Sequence, residues 1–282
     1  MTGLVLEGGA NRTFYSVGVL DAFLDNNIEV DFVVGVSAGI AYGISYVSGQ
    51  KGRNLELGLT LVPDKRYMGL KYFFKKGNRS YYNIDFVFRQ IPDSVLPFDF
   101  ETFKKFNGKV YAAVTNLDTG KCEYLKIDSY SSSDKIILAS CALPFMFRPV
   151  EINGKRYMDG GCSDPLPVEF AYNSGCDKVI TILTREREYK KRKDGESSLS
   201  SVMFRKNKAF SQILKNRSIV YNRSRDFIFE KEKSGSAFVF APKNTKNWKR
   251  TEKNPAAIKA MYDEGYNDAL SRMDDLKRFL DL

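Results

Sequence analysis

Two short apolar runs near the start of the chain end in the same way, and together they restrict the fold more than any other feature. Residues 3–7 (GLVLE) read as a buried strand and run into the tight loop Gly8-Gly9-Ala10. Residues 31–36 (DFVVGV) read as a β-branched strand and run into Ser37-Ala38-Gly39. Helical spacing follows each: Val17, Leu20, Phe23 and Leu24 after the first, a small-residue helix from Ala38 after the second. A β-loop-α-β-turn-α order needs crossover connections, which predicts parallel strands covered by helices. Further strands are expected at 110–115, 121–127, 155–158 and 178–183, with a turn at 116–120 and a helix over 136–142 stopped at Pro144. The expected class is α/β: a three-layer α/β/α architecture with a mainly parallel central sheet.

The second turn has the spacing G-x-S-x-G, formed by Gly35, Ser37 and Gly39. A strand before it and a helix after it are the setting of a nucleophile elbow. Gly35 and Gly39 let such a turn tighten without a Cβ clash. A serine at a helix N-terminus also sits in positive potential, which favours an emerging alkoxide. The first turn, Gly8-Gly9-Ala10, offers successive backbone N–H groups where an ester oxyanion needs donors. It lacks the G-x-G-x-x-G pattern of a dinucleotide loop.

A serine hydroxyl needs a base, and the chain contains no histidine. The base must come from Asp, Glu, Lys or Tyr. Asp159 follows a short strand and precedes Gly160-Gly161, a sharp turn of the kind that presents a side chain into a site.

The glycine-rich N-terminal loop, the GVSAG turn and the distal ALPFMFRPVEINGKRYMDGG occur in an order that resembles the patatin-like phospholipases. The resemblance covers roughly residues 3–183 and looks closest to bacterial members with a basic C-terminal extension. It implies a Ser–Asp dyad without histidine, with Ser37 as nucleophile and Asp159 as base. Gly8, Gly9 and Ala10 would form the oxyanion hole, and Arg12 stands in the arginine position of that loop. It further implies a fatty-acyl ester as substrate (phospholipid, lysophospholipid or glyceride) and no metal or cofactor. The family loop usually reads G-G-G-x-R-G, and here Ala10 and Thr13 replace two glycines. A left-handed residue at Ala10 would cost about 1–2 kcal/mol. The alternative is therefore a catalytically weak or inactive lipid-binding or regulatory protein with the same fold.

Charge divides the chain. Residues 1–184 hold 20 basic and 20 acidic side chains, whereas residues 185–282 hold 24 and 14 and so carry the whole net charge of +10. We read 1–184 as a catalytic domain and 185–282 as a basic C-terminal α+β extension packed on it. In the extension we expect a mobile loop over 185–201, a basic helix over 202–225, a strand over 237–241 and a helix pair over 254–282. A basic lobe suits an anionic surface, and the loop cations Lys190, Lys191, Arg192 and Lys193 are candidates for peripheral membrane contact. No nucleic-acid motif is recognisable. Residues 64–82 interleave aromatic and basic side chains, as a lid or a surface helix would. The four cysteines form no C-x-x-C pair, and without histidine neither a zinc site nor a disulfide framework is expected. No apolar run approaches the roughly 20 residues of a membrane span, and the start MTGLVLEGG lacks the features of a secretory signal. A cytoplasmic location is expected.

Overall fold

The structure is a computed structural model that describes residues 1–192, 199 and 202–282. Its strands are β1 (Thr2–Leu6), β2 (Phe32–Val36), β3 (Lys109–Asn116), β4 (Cys122–Lys126), β5 (Val150–Ile152), β6 (Lys155–Asp159), β7 (Lys178–Ile182) and β8 (Ala237–Phe240). They form an eight-stranded sheet with the order β5-β6-β3-β2-β1-β7-β8, and β4 pairs with β3. The run β3-β2-β1-β7-β8 is parallel, while β4, β5 and β6 pair antiparallel at the other side. The strand β8 comes from beyond residue 184 and pairs with β7 in register Val179↔Ala237.

The helices are α1 (Phe14–Asp25), α2 (Ala38–Val47), α3 (Arg53–Glu56), α4 (Lys71–Phe74), α5 (Phe100–Lys104), α6 (Ile136–Ser140), α7 (Val168–Asn173), α8 (Lys208–Lys233), α9 (Pro255–Ser271) and α10 (Met273–Leu280). Alternate strand residues supply the two faces of the sheet, as the pleat requires. Leu4, Leu6, Val33, Ile180 and Ile182 pack with α1, α2 and the C-terminal pair α9–α10. Val5, Phe32, Val34 and Val179 pack with α7 and α8. The result is helix layers on both faces of a mixed sheet whose central strands are parallel.

The C-terminal helices are closely joined to this core. At the α1–α9 crossing, a Cβ on Gly18 would lie 2.0 Å from the Tyr262 carbonyl oxygen, and one on Gly265 would lie 1.9 Å from that of Tyr15. Only glycine permits such backbone contact. The Tyr15 hydroxyl donates to Asp268 at 2.5 Å and the Tyr262 hydroxyl to Asp21 at 2.9 Å, closing the seam from both sides.

Two expectations are corrected. The helix expected over 202–225 runs from Lys208 to Lys233 and ends beside Gly235, whose φ of +77° stops it. The loop expected to be mobile over 185–201 is anchored in its first part. Arg185 donates to Thr245 Oγ1 at 2.7 Å, Glu186 accepts from the Thr245 N–H at 3.2 Å, and Asn222 holds both the N–H and the C=O of Lys191. Lys190 pairs with Asp226 at 2.7 Å. Lys193, and most of the rest of that loop, lies outside the described residues.

Candidate active site

Ser37 stands between β2 and α2 with φ +55° and ψ −130°, a conformation that costs a non-glycine residue about 1–3 kcal/mol. The neighbouring glycines make this corner possible. A Cβ on Gly35 would lie 2.7 Å from the Ile40 nitrogen, and one on Gly39 would lie 2.6 Å from the Leu6 carbonyl oxygen. The corner is also pinned by a side chain that sequence reasoning missed. Ser140 of α6 accepts the Ser37 N–H at 2.9 Å and donates to the Ala113 carbonyl at 2.8 Å.

The Gly8 loop lies directly against the serine. A Cβ on Gly8 would sit 3.0 Å from Ser37 Cβ. The N–H groups of Gly8, Gly9 and Ala10 make no hydrogen bond among the described residues. Ala10 has φ +48°, so it does occupy the left-handed region. Thr13 does not: its φ is −65°, ordinary for a helix start.

Asp159 ends β6, and its backbone is held by the Ala142 carbonyl and the Thr115 hydroxyl. Its Oδ1 accepts the Gly161 N–H at 2.7 Å, while the buried Oδ2 has no hydrogen-bond partner among the described residues. Gly160 packs on the Ala113 backbone, where no Cβ would fit. Burial pushes the Asp159 carboxyl up to about 6, and the Ser37 hydroxyl, then Arg217, Gly161 and Arg250, oppose the rise. Ser37 and Asp159 thus border one chamber without a completed hydrogen bond in the resting geometry, as is common before a substrate draws such pairs together. The thiol of Cys141 neighbours both, but burial pushes it far up, so it stays protonated.

Two cavities meet at Ser37, sharing Ala10, Ser37 and Leu143 in their walls. One is apolar and runs between α2 and the segments around Tyr67, Tyr82, Phe88 and Ile91. The other is polar and is lined by Arg12, Arg185, Lys191, Arg217 and Arg250, with Glu7 and Asp159 as its carboxylates.

Much of the polar wall comes from the C-terminal part, from which sequence reading took no site residue. Arg217 Nε donates to the Gly161 carbonyl at 2.8 Å. Tyr221 donates to Glu7 at 2.6 Å, and the buried Arg225 reaches the Tyr221 hydroxyl and the carbonyls of Glu186 and Arg187. The signal available was the spacing of four between Arg217, Tyr221 and Arg225, which puts them on one face of a helix. The Arg250 carbonyl accepts the Asn11 N–H at 3.0 Å, which ties it to the Gly8 loop.

Comparison with known proteins supplies three further findings. A family profile described as patatin-like phospholipase matches residues 4–172, and one described as a domain of unknown function, DUF6363, matches residues 207–281. The uncharacterized protein YjjU of Escherichia coli is 27% identical over 64% of this chain and 51% of its own length. Lysophospholipase NTE1 of Candida glabrata is 25% identical over 64% of this chain and 10% of its own length. The chain therefore spans about half of the first relative and a tenth of the second. The crystal structure of VipD from Legionella pneumophila aligns with 96% of this chain and 67% of its own, with a TM-score of 0.49 and 15% identity. Among the described residues no helix is long and apolar enough to cross a membrane.

Proposed function

Because the chain belongs to the patatin-like phospholipase family, we propose that it is a serine acyl hydrolase acting on fatty-acyl esters of phospholipid, lysophospholipid or glyceride. The observation that carries this reading is the placement of Ser37, on a strained corner between an apolar cavity and a buried carboxylate with one unpartnered oxygen. Ser37 Oγ attacks the ester carbonyl while Asp159 Oδ2 takes its proton. The N–H groups of Gly8, Gly9 and Ala10 receive the oxyanion, and the Arg12 N–H holds the loop through the Gly9 carbonyl at 3.2 Å. Collapse of the tetrahedral adduct breaks the ester C–O bond, and Asp159 returns the proton to the leaving alcohol. Water, deprotonated by Asp159, then attacks the acyl-enzyme, and Asp159 returns that proton to Ser37 Oγ as the fatty acid leaves. The name of NTE1, a lysophospholipase, agrees with a lipid ester as substrate.

The apolar cavity suits the acyl chain. The segment that lines it at Tyr67 and Tyr82 also presents Leu70 and Phe74, 70% and 88% exposed, beside Lys71, Lys75 and Lys76. Exposed apolar tips flanked by lysines suit an anionic lipid surface. The inactive alternative rested on Ala10 and Thr13. Ala10 retains its N–H and Thr13 carries no left-handed strain, which favours an active site.

The test is a fluorophosphonate probe followed by peptide mapping. Labelling at Ser37 that is absent in Ser37→Ala supports the reading. No labelling of the wild type, together with no hydrolysis of p-nitrophenyl butyrate, overturns it.

A further inference from the structure

We infer that the basic chamber beside Ser37 is a phosphate subsite, built jointly by the Gly8 loop and the C-terminal part of the chain, which selects acyl esters whose alcohol bears a phosphate. This rests on the acyl hydrolase reading, because it is Ser37 that divides the acyl side from the alcohol side.

Among the described residues the chamber has five cationic side chains and two carboxylates in its wall. The two carboxylates offset only part of this charge, Glu7 acting on Arg12 and Asp159 on Arg217 and Arg250. Glu7 is taken by the Thr184 N–H and the Tyr221 hydroxyl, and Asp159 is half committed to Gly161. Among the described residues Arg12, Arg185 and Arg217 make no ion pair. Arg12 is the strongest pointer to a ligand. It is only 9% exposed, it lines the chamber, and among the described residues its Nε has no hydrogen-bond partner. Burial, then the neighbouring Arg185, bring its guanidinium down to about 10 despite the opposing charge of Glu7.

The chemistry of the opening narrows the class. Guanidinium forks match the paired oxygens of a phosphate, and several of them suit its higher charge better than a single carboxylate. The apolar cavity lies on the other side of Ser37. An ester that fills it with its acyl chain directs its alcohol into the cations, so the phosphate belongs to the leaving alcohol. A glycerophosphate ester has this arrangement. Arg217 sits on α8, and Arg250 on the connection between β8 and α9. Both fall within residues 207–281, so the matched domain of unknown function would act as the selectivity wall of the site.

The test compares two lipids that differ only in the phosphate, 1-oleoyl-lysophosphatidate and 1-oleoylglycerol, presented as monomers to the full chain. Binding is read by calorimetry on Ser37→Ala, and turnover on the wild type. The phosphate lipid should bind at least about tenfold more tightly, the effect of one charge-assisted contact. Arg185→Gln and Arg250→Gln should each lower the ratio of the two affinities about fivefold or more, and Arg185→Lys and Arg250→Lys should restore part of it. Reading a ratio cancels any loss common to both lipids. Equal binding of the two lipids by Ser37→Ala overturns the proposal, as does a ratio unmoved in both Gln variants. Inorganic phosphate binding as tightly as lysophosphatidate overturns selection of a lipid and assigns the chamber to free phosphate. If the wild type hydrolyses neither lipid while Ser37→Ala still discriminates between them, the phosphate subsite stands and the hydrolase reading falls.

Discussion

Ser140 holds Ser37 in place: its hydroxyl accepts the Ser37 N–H at 2.9 Å while donating to the Ala113 carbonyl at 2.8 Å. All three groups are buried. Ser140→Ala leaves a buried donor and a buried acceptor unsatisfied at a corner that already stores strain, and should cost about 1–3 kcal/mol. Ester turnover should fall as well, because the strained φ of Ser37 loses its tether. Urea unfolding and p-nitrophenyl butyrate kinetics check both effects; a variant as stable and as active as the wild type removes this role.

The proposed role of Asp159 as base predicts a pH dependence. As a base it must be ionised, so turnover should rise with pH through about 6 and show no imidazole inflection, since the chain has no histidine. The stability effect has the opposite sense. The folded-state value lies above that of the unfolded chain, so between about pH 4 and 6 the folded protein binds the extra proton. Stability is highest at the acid end of that window and falls as pH rises, by about 1.4 kcal/mol per pH unit. Asp159→Asn should therefore cost at least about 100-fold in rate and yet unfold at a higher urea concentration than the wild type at pH 8. A variant that is both inactive and less stable at pH 8 contradicts the buried-charge account.

The strained corner at Ser37 and the buried carboxylate of Asp159 were legible in sequence because their demands are local. A strained corner needs Gly35 and Gly39 within two residues of Ser37, and the sharp turn at Gly160-Gly161 marks where the Asp159 side chain is presented. The arginine wall was not legible. Arg217 and Tyr221 declare a helix face, but what that face meets depends on how α8 crosses the sheet, and Arg250 reaches the site only because its carbonyl docks on Asn11. Residues 64–82 defeated the helical reading for a different reason. Asn78 donates to the carbonyls of Tyr72, Ser80 and Tyr82 and accepts from the Ile84 N–H, so one side chain organises the segment as a loop in which only Lys71–Phe74 is helical.

The two departures in the Gly8 loop should behave differently. Ala10 sits at φ +48°, so Ala10→Gly removes left-handed strain and should gain up to about 1 kcal/mol after the added freedom of the unfolded glycine is subtracted. Thr13 is fully buried at φ −65°, so Thr13→Gly removes packing and adds backbone freedom, and should cost about 1–2 kcal/mol. Thermal unfolding of the two variants separates these outcomes; equal effects would show that the loop geometry is not as described.

The α1–α9 seam packs the C-terminal helices backbone to backbone against the core. Gly265 has no room for a methyl group against the Tyr15 carbonyl, and the obstacle is backbone, which does not rotate away. Gly265→Ala should cost about 1–3 kcal/mol and should loosen the Tyr15–Asp268 and Tyr262–Asp21 bonds together. A variant as stable as the wild type would mean that the crossing can open without loss.

Leu70 and Phe74 give the proposed membrane contact its sharpest test. Both are exposed on a segment whose neighbouring Tyr67 and Tyr82 line the apolar cavity, so a bilayer that receives them brings its lipid to the acyl entrance. Each buried apolar side chain adds about 1.5–3 kcal/mol to such docking, and Lys71, Lys75 and Lys76 add roughly 1 kcal/mol each on an anionic surface. The double variant Leu70→Ser/Phe74→Ser should lose at least about tenfold in affinity for phosphatidylglycerol vesicles. Turnover of lipid in those vesicles should fall in step, whereas hydrolysis of a soluble short-chain ester, which needs no docking, should fall far less. Added salt should weaken vesicle binding of the wild type by screening the lysines, but it should not restore the double variant. If the double variant binds vesicles as the wild type does, the contact lies elsewhere on the basic surface, and the segment around Leu70 serves only to line the cavity.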